Sequence, residues 1–363
     1  MLKRWKKELV IDQDLERQYQ DAALQVMKKH EVQVDDLYGL LKPRRSEFQS
    51  DDNVHFSAGG SALMATQVAD CILKALGSEG QTGGPAISLA APNHVTGRFV
   101  DTHVHFHDCK AGDLEQVAAW MNSNNVQRVI NHPLAQSRPR NEAERTQMLA
   151  NYANYKGRID RFCIIFPEEV NSVEETVKLL TREKLDGAIG FGEHYGVNLN
   201  FDDPKNLRLY AACSQVGLPV MFHMDRNKNL DEKGLPRLEY VLKTYPDCIL
   251  IAHSDWWKSL ADGTCDRLLK QYPHLYADLS CTVGRSIMGR DKKFAREFII
   301  RNADKLLFGT DSGWWTLGKD KKPMPEFALI DDLKLPNEVE DKICRGNAAR
   351  LFWGRKPDEA TTK

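Results

Sequence analysis

The 363-residue chain has no run of ~18 apolar residues, the length a helix needs to span a bilayer, so no membrane-spanning helix is expected. It also lacks a charge bias. Lys and Arg number 50 against 51 Asp and Glu, so nothing draws the surface as a whole to nucleic acid or to an anionic membrane. No Cys-x-x-Cys pair is present. The eight cysteines (Cys71, Cys109, Cys163, Cys213, Cys248, Cys265, Cys281 and Cys344) are scattered, several inside apolar runs. That points to free buried thiols in a reducing, cytoplasmic setting rather than to a disulfide framework. The opening Met1-Leu2-Lys3-Arg4-Trp5-Lys6-Lys7 is basic, but polar Ile11-Asp12-Gln13-Asp14 follows where an export signal needs an apolar stretch. Solenoid-type repeats and low-complexity tracts are missing too.

What is present is ordinary for a globular protein with a large core: 42% hydrophobic and 28% charged residues. Gly77 to Gly97, with Gly-Ser-Glu-Gly, Thr-Gly-Gly-Pro and Ala-Pro-Asn, reads as a turn-rich linker. It separates a segment of residues 1–76 from a larger one at 98–354, with a disordered tail expected over 355–363.

The larger segment alternates apolar runs with amphipathic stretches. Strands are expected at Phe99–His105, Val126–His132, Arg161–Phe166, Gly187–Gly192, Leu218–Met224, Cys248–Ser254, Leu275–Ser280 and Leu306–Thr310. Helical patterns occupy Asp113–Asn124, Ser172–Lys184, Pro204–Val216, Leu235–Thr244 and Cys265–Tyr272. The strands lack strict alternation, as expected when both faces are covered. Eight such units over roughly 250 residues are the arithmetic of a (β/α)8 TIM barrel. The fold class is therefore α/β, a TIM barrel with a small, mostly helical N-terminal appendage; a doubly wound open sheet is the rival.

In a barrel, chemistry gathers at the C-terminal strand ends. Six of the eleven histidines end or directly follow an expected strand: His103, His105, His132, His194, His223 and His253. A lone histidine there is most often a satisfied core residue, but six together are not chance scatter. His103 and His105 lie two apart on one strand, so they share a face and can grip one cation. Imidazole suits Zn, Fe, Ni or Cu rather than Mg or Ca. Strand eight ends Phe308-Gly309-Thr310-Asp311, which adds a carboxylate. The order is His-x-His, His, His, Asp, with each part on its own strand end.

At these residues the chain resembles the amidohydrolase superfamily, and the amidohydrolase-2 branch in particular, which also contains decarboxylases and lactonases. The resemblance runs from about residue 97 to 354. It is carried by Val100-Asp101-Thr102-His103-Val104-His105, Phe222-His223-Met224-Asp225, Ala252-His253, Leu307-Phe308-Gly309-Thr310-Asp311 and Gly346-Asn347-Ala348-Ala349-Arg350-Leu351-Phe352. It implies that His103, His105 and His223 ligate a divalent metal, zinc being the first expectation. It implies that Asp311 contacts both metal and water, and that His253 either holds a second ion or polarises the substrate. Some relatives carry a bridging Glu or carbamylated Lys after strand four. Glu193 sits near that place and no Lys does, so Glu193 is either a further ligand or a loop carboxylate, and one or two ions both remain open.

Other residues carry double readings. His194 is expected behind the ligands or facing substrate, His107 past the end of strand one, and His132 either at the site wall or bonded to backbone. Trp256-Trp257 and Trp314-Trp315 could form an apolar substrate wall or pack loop on loop. Arg138, Arg140 and Arg285 could bind a substrate carboxylate, against a default of surface arginine. Asp225 could orient a ligand from behind.

In residues 1–76, Asp14–Lys29 reads as an amphipathic helix, Val32–Tyr38 as a short strand and turn, and Ser61–Leu76 as a second helix. Asp52 and His55 make this segment resemble the C-terminal end of an SGNH (GDSL-type) esterase, where such a pair supplies acid and base to a serine. That family's Gly-Asp-Ser nucleophile does not precede residue 30, and the pair alone cannot run acyl transfer. The segment is expected to be a truncated remnant.

The leading expectation is a metal-dependent hydrolase of a C–N or C–O bond in a small molecule, with Asp311 and His253 catalytic and a metal-activated water as nucleophile. The alternative is a metal-dependent non-oxidative decarboxylase of an aromatic or unsaturated acid, which anchors a carboxylate on one ion. An inactive scaffold barrel predicts lost ligands, and none of the four core positions is lost. The partner is a small-molecule substrate; a homo-oligomer is compatible with everything above.

Overall fold

The alternation of apolar runs and amphipathic stretches becomes, in a computed structural model of the chain, a nine-stranded parallel sheet flanked by helices. The structure describes residues 13–30, 32, 34–48, 63–64, 67–68, 71, 97–313 and 324–354. The chain divides into two compact units, Met1–Ser88 and Leu89–Lys363.

In the second unit the strands are β1 (Phe99–His105), β2 (Val126–Asn131), β3 (Ile159–Cys163), β4 (Ala188–His194), β5 (Val220–Met224), β6 (Leu250–Ser254), β7 (Leu275–Asp278), β8 (Leu306–Leu307) and β9 (Ser312–Gly313). Their order is β8-β7-β6-β5-β4-β3-β2-β1-β9. β8 and β9 belong to one stretch, Leu306 to Gly313, which pairs with β7 at its start and with β1 at its end. That stretch closes the sheet, so the expected eight-stranded barrel is what forms.

Five strands end away from their expected residue: β2 stops at Asn131, one short of His132, β4 runs past Gly192 to His194, and the other three have a visible cause. β3 stops at Cys163 rather than Phe166, because the chain turns into Pro167–Glu169 and the Phe166 amide donates to Glu169. β7 stops at Asp278, short of Ser280, where the backbone swings to φ 77° at Cys281. β8 is interrupted at Phe308, whose amide donates to Ile343 O of the turn Lys342–Gly346 rather than to a neighbouring strand.

The crossover helices start and stop where their caps lie. Asp203 accepts from the Lys205 amide ahead of Pro204, and Gly217 at φ 71° ends that helix. Ser172 accepts from the Glu175 amide, and Glu175 reaches back to the Asn171 amide. Between strands and helices lies the main core, which includes Cys163, Cys213, Cys248, Cys265 and Cys344. All eight cysteines are free thiols.

Inside the barrel, Val100, Ile130, Phe162, Met221, Ile251 and Leu307 form a second apolar layer. Ala348, Leu351, Phe352 and Trp353 of the last helix, Asn347–Trp353, pack against it. Each such side chain fully buried is worth about 1.5–3 kcal/mol. This plug leaves the polar strand ends as the place where the barrel opens.

In the first unit, Gln13–Lys29 is helical as expected. The expected strand at Val32–Tyr38 does not form: Leu37–Leu41 is a helix capped by Asp36, which accepts from the Gly39 amide at 2.8 Å. A local cap wins over a short apolar run that finds no partner strand among the described residues. Asp52, His55, most of the Ser61–Leu76 helix, the linker up to residue 96, Trp314-Trp315 and the tail lie outside the described residues. No helix among the described residues is long and apolar enough to cross a membrane.

Gly190 of β4 faces the barrel interior, and a Cβ there would meet the Phe162 ring at 2.3 Å. Gly190→Ala should therefore lower unfolding stability by about 1–3 kcal/mol through overpacking. The denaturant midpoint reads this directly; an unchanged midpoint would mean that the Phe162 ring has room to move.

Candidate metal centre

The strand ends bring six predicted side chains to one point. On β1, His103 and His105 face the same way, and their Nε2 atoms lie 3.1 Å apart. Asp311 arrives on the closing stretch. Its amide donates to His103 O at 2.9 Å, and Thr310 is held by Asp101 through its amide at 3.0 Å and its hydroxyl at 2.6 Å. Asp311 sits at φ 55°, a left-handed conformation that aspartate tolerates better than most residues. Its Oδ1 lies 3.1 Å from His105 Nε2 and 3.8 Å from His103 Nε2.

β4 delivers Glu193. Gly192 before it has φ 135°, and a Cβ there would stand 2.4 Å from Met221 O, so only glycine lets the chain pass so close to β5. Glu193 Oε2 lies 3.5 Å from His103 Nε2 and 3.4 Å from His105 Nε2. The other oxygen, Oε1, contacts His223 Nδ1 and lies 3.4 Å from His253 Nε2. His223 and His253 are direct register partners on β5 and β6. His253 Nε2 is 3.9 Å from Asp311 Oδ2.

The outward-facing ring nitrogens decide where the protons are. His103 Nδ1 lies 2.8 Å and His253 Nδ1 3.0 Å from the two oxygens of Asp278. His105 Nδ1 meets His132 O at 2.7 Å, and His223 Nε2 meets Asp225 Oδ2 at 3.0 Å. Each of these partners is an acceptor, so each ring places its proton there and turns a lone pair inward. Two imidazole lone pairs 3.1 Å apart, with carboxylate oxygens beside them, repel unless a positive charge lies among them. The donor set therefore fits a divalent cation. Three combinations could hold one: His103 with His105 and Asp311, Glu193 with His223 and His253, and His103 with His253 and Asp278. In the third, Asp278 engages the outer nitrogens and serves the other two. Mixed imidazole and carboxylate ligands suit Zn, Mn, Fe or Ni.

The electrostatics agree. Burial opposes charge on His103, yet Asp278 and Glu193 hold it well above the usual histidine range. His105, opposed by burial in the same way, is held at about 9 by Asp311 and Glu193. Burial alone would raise Glu193, but His253 and the other surrounding histidines hold it well below the usual carboxylate range. The pocket demands positive charge.

The other candidates sort differently. His132 is fully buried, its Nε2 bonded to Thr102 O at 2.9 Å and its ring between His103 and Phe162. Burial pushes it well below its ordinary value, so it stays neutral beneath the site. His194 is buried against Asn206, at 3.1 Å, and does not face the centre. His107 lies past β1 with its Nδ1 3.1 Å from Asp113. Arg138 pairs with Glu169 and Arg285 with Glu326, while the Arg140 amide donates to Glu144. Trp256 and Trp257 are fully buried and form no substrate wall, because the Trp257 indole donates to Asp278 O at 3.1 Å within the packing. Asp225 does back His223, and Lys228 backs Asp225 at 2.7 Å.

Sequence reading missed Asp278, Ser280 and Asn229. Ser280 Oγ donates to Asp278 Oδ2 at 2.5 Å. The Asn229 amide donates to both His194 O and His223 O at 2.8 Å and ties the ends of β4 and β5 together. Asp278 was findable, since it is a polar residue ending an apolar strand, the same signal that marked the histidines. Asn229 sits in a loop with no such pattern.

A family model described as Amidohydrolase matches residues 100–353. No curated protein matches the chain. Among solved structures, a candidate 2-pyrone-4,6-dicarboxylic acid hydrolase of Pseudomonas putida shares the fold at TM-score 0.52 and 12% identity, covering 73% of this chain and 98% of its own. A TIM-barrel protein of Bordetella bronchiseptica overlaps at TM-score 0.49 and 15% identity, covering 71% and 99%. A 5-carboxyvanillate decarboxylase of Novosphingobium aromaticivorans, in complex with manganese, overlaps at TM-score 0.46 and 12% identity, covering 65% and 79%.

Asp278 orients two inward-facing rings at once. Asp278→Asn should weaken zinc or manganese binding about 10- to 100-fold, measured by chelator competition, with circular dichroism unchanged. Unaltered affinity would show that the two rings hold their orientation without it.

Proposed function

Since the chain belongs to the amidohydrolase family, matched over residues 100–353, we propose that it is a metal-dependent hydrolase of a C–N or C–O bond in a small molecule. One observation carries the proposal: the two oxygens of Glu193 face different halves of the cluster. Oε2 looks to His103 and His105, and Oε1 to His223 and His253. A carboxylate so placed suits two ions, with His103, His105, Glu193 and Asp311 holding one and Glu193, His223 and His253 the other. Zinc is the first choice for this donor set; manganese, iron and nickel also accept mixed imidazole and carboxylate ligands. A divalent ion bound there supplies an acidified water near neutral pH and a Lewis acid for a carbonyl oxygen.

The residues of the chain supply the rest. Burial pushes Asp311 up, but His105, His103 and His253 hold it below the usual carboxylate range, so it is ionised at neutral pH. Its side chain is 32% exposed, the most open of the six, so it can reach a water and take its proton. Where one ion alone sits on the His103–His105–Asp311 side, His253 Nε2 is free of metal, and Asp278 behind its Nδ1 would stabilise the imidazolium formed when Nε2 takes a proton. It can then hand that proton to a leaving group or hold a developing oxyanion. His132 and Phe162 close the space beneath His103 and keep bulk water from entering from below.

Metal content per chain, measured by plasma mass spectrometry on protein purified without chelator or metal resin, tests this reading. Two equivalents fit the hydrolase. One equivalent would favour the single-ion decarboxylase chemistry instead, read as carbon dioxide release from aromatic acids. No uptake at all would sink both. With metal saturating, Asp311→Asn should lower turnover of a responsive amide, ester or lactone about 10²–10⁴-fold.

A further inference from the structure

We propose that Tyr195 is a positioning residue, whose hydroxyl fixes the carboxylate plane of Glu193 so that one oxygen serves each half of the cluster. This rests on the metal-centre reading above. Rotation about the last bond of a glutamate side chain is soft and nearly two-fold, so burial alone does not set the plane. With the centre loaded, the four rings around Glu193 would not set it by donation, because the nitrogen each turns inward would be on the cation. His103, His105 and His253 each commit the Nδ1 proton elsewhere, and His223 commits its Nε2 proton to Asp225. The remaining nitrogen of each ring faces the cluster, where a bound cation would take its lone pair and leave no ring proton for Glu193. Tyr195 Oη donates to Glu193 Oε2, and among the described residues it is the donor at this carboxylate whose proton has no other partner.

The tyrosine is itself held. Its ring lies 5.3 Å from the His223 ring, centroid to centroid, and the Lys228 ammonium sits 5.5 Å from its face. Lys228 is in turn bonded to Asp225, which backs His223. Glu193, Tyr195, Lys228, Asp225 and His223 thus form a closed ring of contacts. That ring ties the orientation of Glu193 to the orientation of the His223 imidazole. In it the hydroxyl sets the direction of Glu193, while the phenyl ring contributes packing that phenylalanine would keep.

The test compares zinc and manganese binding by full-length wild type, Tyr195→Phe, Glu193→Gln and the double variant, using chelator competition and plasma mass spectrometry. Tyr195→Phe is expected to bind the weaker of the two ions about 10- to 100-fold less tightly, with the metal-free melting curve unchanged. In the Glu193→Gln background the same substitution should have no further effect, because its action runs through the lost carboxylate. A merely structural tyrosine would weaken both backgrounds equally, and that outcome overturns the proposal. So does wild-type affinity in Tyr195→Phe. If wild type itself takes up no metal, the centre falls first and this proposal with it. Should Tyr195→Phe not fold, Tyr195→Gln, which keeps a donor, is compared with Tyr195→Leu, which lacks one. Tighter binding by the glutamine variant supports the proposal, and equal binding refutes it.

Discussion

Everything at the mouth of this barrel depends on bringing together atoms that repel one another. His103, His105, His223 and His253 turn lone pairs toward a common space that two carboxylates also enter. Water would solvate these groups singly, and burial removes that solvation, so the arrangement is stable only when something behind each ring orients it and something positive lies between them. The orienting half of that requirement is built into the fold. Asp278 takes two rings, His132 O a third and Asp225 a fourth. The positive half is left to a cation.

The scaffold shows the same economy. The stretch from Leu306 to Gly313 does two jobs in eight residues. Its start pairs with β7 and its end with β1, which closes the sheet. The turn between them, held by Asp101 through Thr310, puts Asp311 beside His105. Barrel closure and ligand placement are therefore one event, and a chain that failed to close would also fail to assemble the centre. The apolar plug of Phe162, Phe352 and their neighbours sits directly below, so the polar atoms stand on a dry floor.

Much of this was legible beforehand. Strand-and-helix alternation is written in local periodicity, and a barrel follows from the count, so β1 to β8 lie near their expected places. His103 and His105 were readable because strand geometry puts residues two apart on one face. Other parts were not readable. Val32–Tyr38 looked like a strand, but a strand needs a partner, whereas the cap at Asp36 is local and forms a helix. Trp256-Trp257 stood beside a key histidine in sequence, yet the turn after β6 sends both rings into the packing. Arg138 and Arg285 found acidic partners 31 and 41 residues away, which no local pattern encodes.

The sequence by itself determined the alternation of elements, the strand-end placement of six histidines and two acids, and hence the kind of chemistry. Those properties depend on the chain within a few residues of each position. Tertiary structure alone decided which way each imidazole faces, that Glu193 stands at the centre rather than in a loop, and that Asp278 lies behind two rings at once. Apart from His223 and its neighbour Asp225, these rest on contacts between residues 25 to 175 positions apart. Such contacts exist only once the barrel has closed and the proton on each ring has found its acceptor.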